Sequence, residues 1–143
     1  MGSGIRFYSE ETGFKLKNKQ KIRTWLKGIV YEEKQVPCDL SYIFCTDAYL
    51  LELNKKFLDH DTYTDILTFS NTDDTSRISG DIFISIDRVR ENTTKYHQPF
   101  DRELTRVMVH GVLHLLGYKD KTQKEKKLMT EKEDISLEKL FMH

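Results

Sequence analysis

His110 and His114 stand four positions apart in the run His110-Gly111-Val112-Leu113-His114-Leu115-Leu116-Gly117-Tyr118-Lys119-Asp120. On an α-helix that spacing stacks two side chains one turn apart on the same face, so both imidazoles can close on a single ion. Gly117 predicts the end of this helix. Glycine most readily takes the left-handed conformation just past a helix terminus, and such a turn swings Asp120 back toward the histidine face. Two imidazoles and a carboxylate leave a tetrahedral ion one open corner, which is what a catalytic zinc needs; structural zinc is usually closed by four ligands, most of them cysteines. The same donors form the facial triad of non-haem iron, so ligand type alone also admits another transition ion. The chemistry expected of such a site is hydrolysis by a metal-activated water.

A pair of histidines at helical spacing can also be surface decoration. Here Leu104, Val107, Met108, Val112, Leu113, Leu115 and Leu116 surround them, and the segment reads as the most apolar helix of the chain, a central buried element. A buried imidazole needs a partner on each ring nitrogen, and a metal on one with a carboxylate or carbonyl on the other supplies both. Asp65, Asp81 and Glu103 are the carboxylates to consider for proton handling. Glu103 precedes His110 by two turns on nearly the same face, although a first-turn carboxylate also favours the helix dipole and Asp81 can simply end a strand. The residue after His110 is Gly111, which cannot take a proton. Peptide hydrolysis by a His-Glu-x-x-His helix, in which that glutamate is the base, is therefore disfavoured.

Of the 143 residues, 38% are hydrophobic and 32% charged, the balance of an ordinary globular protein, and this length fits one domain over residues 1–143 with a dry interior. No apolar run approaches the roughly 20 residues that span a bilayer, and the N-terminus lacks the pattern of a signal peptide, so the expected compartment is the cytoplasm. Cys38 and Cys45 are expected to be reduced thiols, and two cysteines are too few for a zinc ribbon. The 23 basic and 23 acidic side chains cancel, so the molecule as a whole does not advertise attraction to nucleic acid. Locally, Lys15, Lys17, Lys19, Lys21, Arg23 and Lys27 form a basic segment that could contact phosphates or serve as the solvated face of the first helix.

The elements that must position the histidines follow from periodicity. Ile5–Tyr8 and Phe14–Leu16 read as short strands, followed by an amphipathic helix over 19–34 with Trp25 in its core face. Asp39–Cys45 reads as a strand, Thr46-Asp47 as a cap, and 48–58 as a helix. Strands are expected at Ile66–Phe69 and Asp81–Ile86 around a polar loop over 70–76, then a helix over 87–96, a break at Pro99 and the long helix over 102–116. A last helix over 121–140 is expected to turn Leu128, Met129, Ile135, Leu137 and Leu140 inward. Without strict βαβ alternation, this order argues for an α+β domain: one small mixed sheet covered by helices, with the histidine helix lying against it.

Taken together, these residues resemble the YbeY family, single-domain metalloproteins of zincin-like fold described as endoribonucleases of rRNA maturation. The family signature is similar to His-Gly-x-Leu-His-Leu-x-Gly-Tyr-Asp-His, which His110, Gly111, Leu113, His114, Leu115, Gly117 and Tyr118 match in place. Leu53-Asn54, Thr64-Asp65-Ile66-Leu67-Thr68-Phe69, Gly80-Asp81-Ile82-Phe83-Ile84-Ser85, Glu103-Leu104 and Met129 extend the resemblance over about residues 39–135. It implies a metal-dependent, single-strand-type endoribonuclease acting in rRNA maturation and ribosome quality control. It further implies one Zn2+ held by His110, His114 and Asp120, with rRNA precursors and ribosomal proteins as partners and no membrane association. The chain departs from the pattern twice. Asp120, preceded by Lys119, stands where the family usually has histidine preceded by aspartate, and a carboxylate is an acceptable zinc ligand. Leu58 stands where the family tends to carry an arginine implicated in activity; leucine cannot hold a phosphate, which makes Lys55, Lys56 or Arg77 the candidate substitutes. The rival reading is a noncatalytic ribosome-assembly or RNA-binding factor whose metal only braces the helix end. His60 and His97, beside polar turn residues, are expected to be exposed, and His143 is terminal.

Overall fold

The sheet runs in the order β1-β2-β4-β3, with β1 (Ile5–Ser9), β2 (Val36–Cys45) and β4 (Arg77–Ser85) parallel and β3 (Ile66–Ser70) antiparallel to β4 at one edge. This architecture comes from a computed structural model that describes residues 4–33, 35–58, 64–71 and 77–141. Around the sheet lie α1 (Lys19–Glu32), α2 (Asp47–Leu58), α3 (Ile86–Tyr96), α4 (Phe100–Leu115) and α5 (Gln123–Phe141). The fold is α+β, as its element order implied.

Strand β4 shows why the two faces differ. Ile78, Gly80, Ile82 and Ile84 are buried in alternation and face α4, whereas Phe83 joins Cys45, Leu50 and Leu67 in a smaller cluster under α2. Gly111 brings α4 down onto the sheet: a Cβ there would lie 2.9 Å from Ile82 Cγ2 and 3.0 Å from Ile66 Cδ1. The buried Tyr42 hydroxyl of β2 donates to the Met108 carbonyl of α4 at 2.8 Å and fixes how deep the helix sits. At the sheet edge, a Cβ on Gly80 would stand 2.3 Å from the Phe69 carbonyl oxygen, so only glycine lets β3 pair at that point.

Four expectations change. Phe14–Leu16 forms no strand, since among the described residues it enters no ladder; the alternation instead reflects a segment crossing the core edge, with Phe14 against Phe44 and Phe100 and Lys15 and Lys17 outward. In α5 the buried stripe is Met129, Glu133, Ser136, Leu137 and Leu140, spaced by three and four. Leu128 and Ile135, about 100° round the helix from it, are 44% and 50% exposed. Ile86 belongs to α3 rather than to a strand, since the Ser85 hydroxyl accepts from Arg88 N at 3.2 Å and caps that helix. Strand β2 begins at Val36 rather than Asp39, with Pro37 inside it at a register shift between Pro37 and Asp39, while Pro99 does mark the start of α4. Trp25 is buried as expected, its indole N–H donating to the Ser136 carbonyl at 2.8 Å, and Thr46 caps α2 through Tyr49 N. Cys45 is a buried free thiol.

Candidate metal centre

The end of α4 is built by local sequence. Gly117 takes φ +107°, Tyr118 N donates to the Leu113 carbonyl and Gly117 N to the His114 carbonyl, each at 3.0 Å. This crossed pair of bonds is a Schellman motif, which satisfies two carbonyls that the helix would leave open. Tyr118 then anchors the turn: its hydroxyl donates to Glu33, and Lys132 lies 5.4 Å over its ring. The chain that leaves Tyr118 is thereby directed back across the last turn of α4.

Asp120 is the result. Its Oδ2 lies 3.3 Å from His110 Nε2 and 3.4 Å from His114 Nε2, and the two Nε2 atoms are 3.0 Å apart. A tetrahedral ion with donors at about 2.0–2.2 Å requires donor–donor edges of about 3.3–3.6 Å. The triangle therefore fits a small divalent ion with only the imidazole pair needing to widen slightly. Among the described residues, these three form the group of histidine, cysteine and carboxylate side chains close enough to hold one ion.

The second nitrogen of His110 is also satisfied. Its Nδ1 lies 2.6 Å from Glu133 Oε2, a buried carboxylate whose other oxygen accepts from Arg106 at 2.8 Å, and Arg106 reaches on to Asp134 at 2.6 Å. An Nδ1–H donated to Glu133 leaves the Nε2 lone pair facing His114 and Asp120, the tautomer a metal ligand needs. Burial by itself lowers the His110 pKa, but the Glu133 hydrogen bond and the charges of Glu133, Asp120 and Asp65 outweigh it and leave the imidazole raised above its ordinary value.

A cavity of about 320 Å3 opens beside this cluster, lined by Asp65, Glu103, Arg106, Val107, His110, Asp120 and Glu133. Asp65 is held at the start of β3 by Ser85 N, which donates to its carbonyl at 3.0 Å. Burial raises its carboxyl pKa against the opposing charge of His110, and burial likewise raises Glu103 against the charge of Arg106.

Of the candidate residues, His110, His114 and Asp120 come together, and Asp65 and Glu103 border the same cavity. Asp81 does not. The two-residue period that turns Gly80 and Ile82 toward α4 turns Asp81 to the opposite face of the sheet. Lys55 and Lys56 on α2 and Arg77 at the start of β4 do not line the cavity; Leu58 ends α2, and His60 and His143 lie outside the described residues. His97 is exposed as the left-handed cap of α3. Sequence reasoning missed Arg106 and Glu133. Arg106 stands one turn before His110 on its own face, and Glu133 is a charge at a core position of α5, midway between Met129 and Leu137. Both signals are weak in isolation.

The profile of the family described as Endoribonuclease YbeY matches residues 5–141. The protein named Endoribonuclease YbeY in Cytophaga hutchinsonii is 54% identical over 93% of this chain and 93% of its own. That of Christiangramia forsetii is 45% identical over 91% and 90%. The solution structure of TM1509 from Thermotoga maritima superposes with a TM-score of 0.68 at 29% identity, covering 96% of this chain and 89% of the other.

Proposed function

The chain belongs to the YbeY family of endoribonucleases, and from that membership we propose that residues 1–143 form one metal-dependent domain that hydrolyses RNA phosphodiesters during rRNA maturation in the cytoplasm. His110, His114 and Asp120 would hold one Zn2+; the observation that carries this reading is their triangle of donor atoms with 3.0–3.4 Å edges beside an open cavity. When bound, the ion supplies Lewis acidity toward a phosphoryl oxygen and an acidified water at neutral pH.

The chain's own groups supply the rest. Glu133 holds the His110 ring so that Nε2 faces the donor cluster, and Arg106 offsets part of the charge of the four carboxylates around the cavity. Asp65 and Glu103, both raised by burial, are the carboxyls suited to take the proton of an attacking water and return it to the leaving oxygen. Incubation of the zinc-loaded protein with a structured rRNA fragment and, separately, with casein tests the proposal. Cuts in RNA alone, abolished by chelator and in His114→Ala, are expected. Stoichiometric zinc with no cutting of either substrate would refute the nuclease and favour a metal-braced assembly factor.

A further inference from the structure

The cavity beside the three donors is a poor foothold for a polyanion. Four carboxyl groups and one guanidinium line it, so acidic groups outnumber the fixed cation. The molecule as a whole is neutral, so affinity for RNA has to come from a concentrated basic surface elsewhere. Residues 13–31 provide one: six basic side chains and no acidic one.

This segment also forms a groove. A cavity of about 340 Å3 lies where the link between β1 and α1 crosses the start of α4 and the end of α5. Phe14, Phe100 and Phe141 contribute aromatic surface to it, Phe141 being 42% exposed. Lys15, Lys17 and Lys21, all exposed, stand on its rim, and Asp101 is the single carboxylate in its lining. None of the three lysines makes an ion pair among the described residues. Lys15 and Lys17 alternate with the half-buried Phe14 and Leu16, so that both lysines are exposed where the chain passes the groove. Aromatic surface beside tracked positive charge is how proteins hold single strands without reading sequence: bases stack and phosphates pair with cations.

We infer that this groove is a second RNA-binding surface, holding a single-stranded stretch of substrate away from the scissile bond. The inference rests on the nuclease reading above. Helix α4 joins the two places: Phe100, Leu104 and Thr105 line the groove, while Glu103, Arg106 and His110 line the catalytic cavity on another flank of the same helix. Leu104 and His110 differ by about 9 Å of helix rise, so a strand seated in the groove needs only a few nucleotides to reach the donor cluster. The charges also divide the work, since the basic groove supplies affinity and the acidic cavity supplies chemistry.

Fluorescence anisotropy of the full chain with a labelled, phosphorothioate-linked oligouridylate, with and without zinc, reads the groove directly. The K15Q/K17Q/K21Q variant is expected to bind at least tenfold more weakly and to lose about 2 from the slope of log affinity against log salt, three contacts at about 0.7 each. F141A is expected to weaken binding about fivefold with the slope unchanged, as loss of one stacked base would. Hydrolysis of bis(p-nitrophenyl) phosphate, too small to span both places, should be the same in the triple variant and the wild type. If the wild type cuts RNA and the triple variant binds it with unchanged affinity and slope, the groove is overturned while the nuclease reading stands; a groove that docks an acidic protein would give this same result. If the wild type cuts neither RNA nor the small diester, the nuclease reading fails. Loss of oligonucleotide binding in the triple variant would still support the groove in that case.

Discussion

Replacing Glu133 by glutamine separates the positioning of His110 from the folding of the helix that carries it. The carboxylate accepts at both oxygens, from His110 Nδ1 and from Arg106, and is 7% exposed, so little water is available to take its place. Glutamine keeps the shape but offers one acceptor and one donor to two donors. If its oxygen serves Arg106, the amide N–H2 faces His110 Nδ1 and drives the ring to the tautomer whose Nε2 carries the proton, the wrong form for a ligand. If its oxygen serves His110, the amide hydrogens oppose the guanidinium. Either way one charge-assisted bond is lost. Partners of this kind are worth about 10–100-fold in metal affinity, or about 1.4–2.7 kcal/mol, whereas the cost in global stability should be about 1–2 kcal/mol because the shape survives. Zinc affinity at pH 7 is measured by competition with a chromophoric chelator, and stability by urea unfolding of the metal-free protein. A second substitution sharpens the test: Arg106→Met removes the competing donor, so the oxygen of the introduced amide is released to His110 and the double variant should recover most of the affinity. Unchanged zinc affinity in Glu133→Gln, or a double variant no better than the single one, would refute the positioning role.

Other perturbations check other parts of the structure. Gly80→Ala puts a methyl 2.3 Å from a backbone oxygen of β3 and should cost about 3 kcal/mol in urea unfolding; Gly111→Ala meets only the Ile82 and Ile66 side chains and recovers helix propensity, so about 1 kcal/mol is expected, and equal costs would count against the packing described. Gly117→Ala strains a φ of +107° and should lower stability by about 1–2 kcal/mol while weakening zinc binding through a displaced Asp120; calorimetric titration would detect either effect. Burial, aided by the charges of Asp47, Asp87 and Glu11, pushes the Cys45 thiol up to about 12. In a Cys38→Ser background, Cys45 should therefore resist iodoacetamide at pH 8.5 in the folded protein and react quickly in urea; rapid native labelling would contradict this. Because the folded pKa is the higher one, the stability linked to Cys45 is present below the unfolded value of about 8.5 and is lost as pH rises toward 12.

Much of the fold was legible because its elements are amphipathic. The core stripe of α1 (Ile22, Trp25, Leu26, Ile29 and Val30) repeats at helical spacing, and the buried alternation of β4 repeats every second residue. The same reasoning failed at Phe14–Leu16, where alternation arises without a strand partner, and at Leu128 and Ile135, which packing of α5 leaves in solvent. Periodicity reports which residues share a side. It does not report what lies opposite.

The centre divides along the same line. The approach of His110, His114 and Asp120 could be read from the chain alone, since a helical repeat of four residues and a glycine-closed turn act within eleven consecutive positions and need nothing distant. Tertiary packing decided the surroundings. Glu133 meets His110 across 23 residues, Asp65 arrives through the pairing of β3 with β4, and Asp81 is turned away by the two-residue alternation of β4 once α4 has chosen its face. Local sequence determines geometry over a turn or two of backbone. Partners brought together from separate elements depend on which faces bury one another, and that choice is made by the whole core.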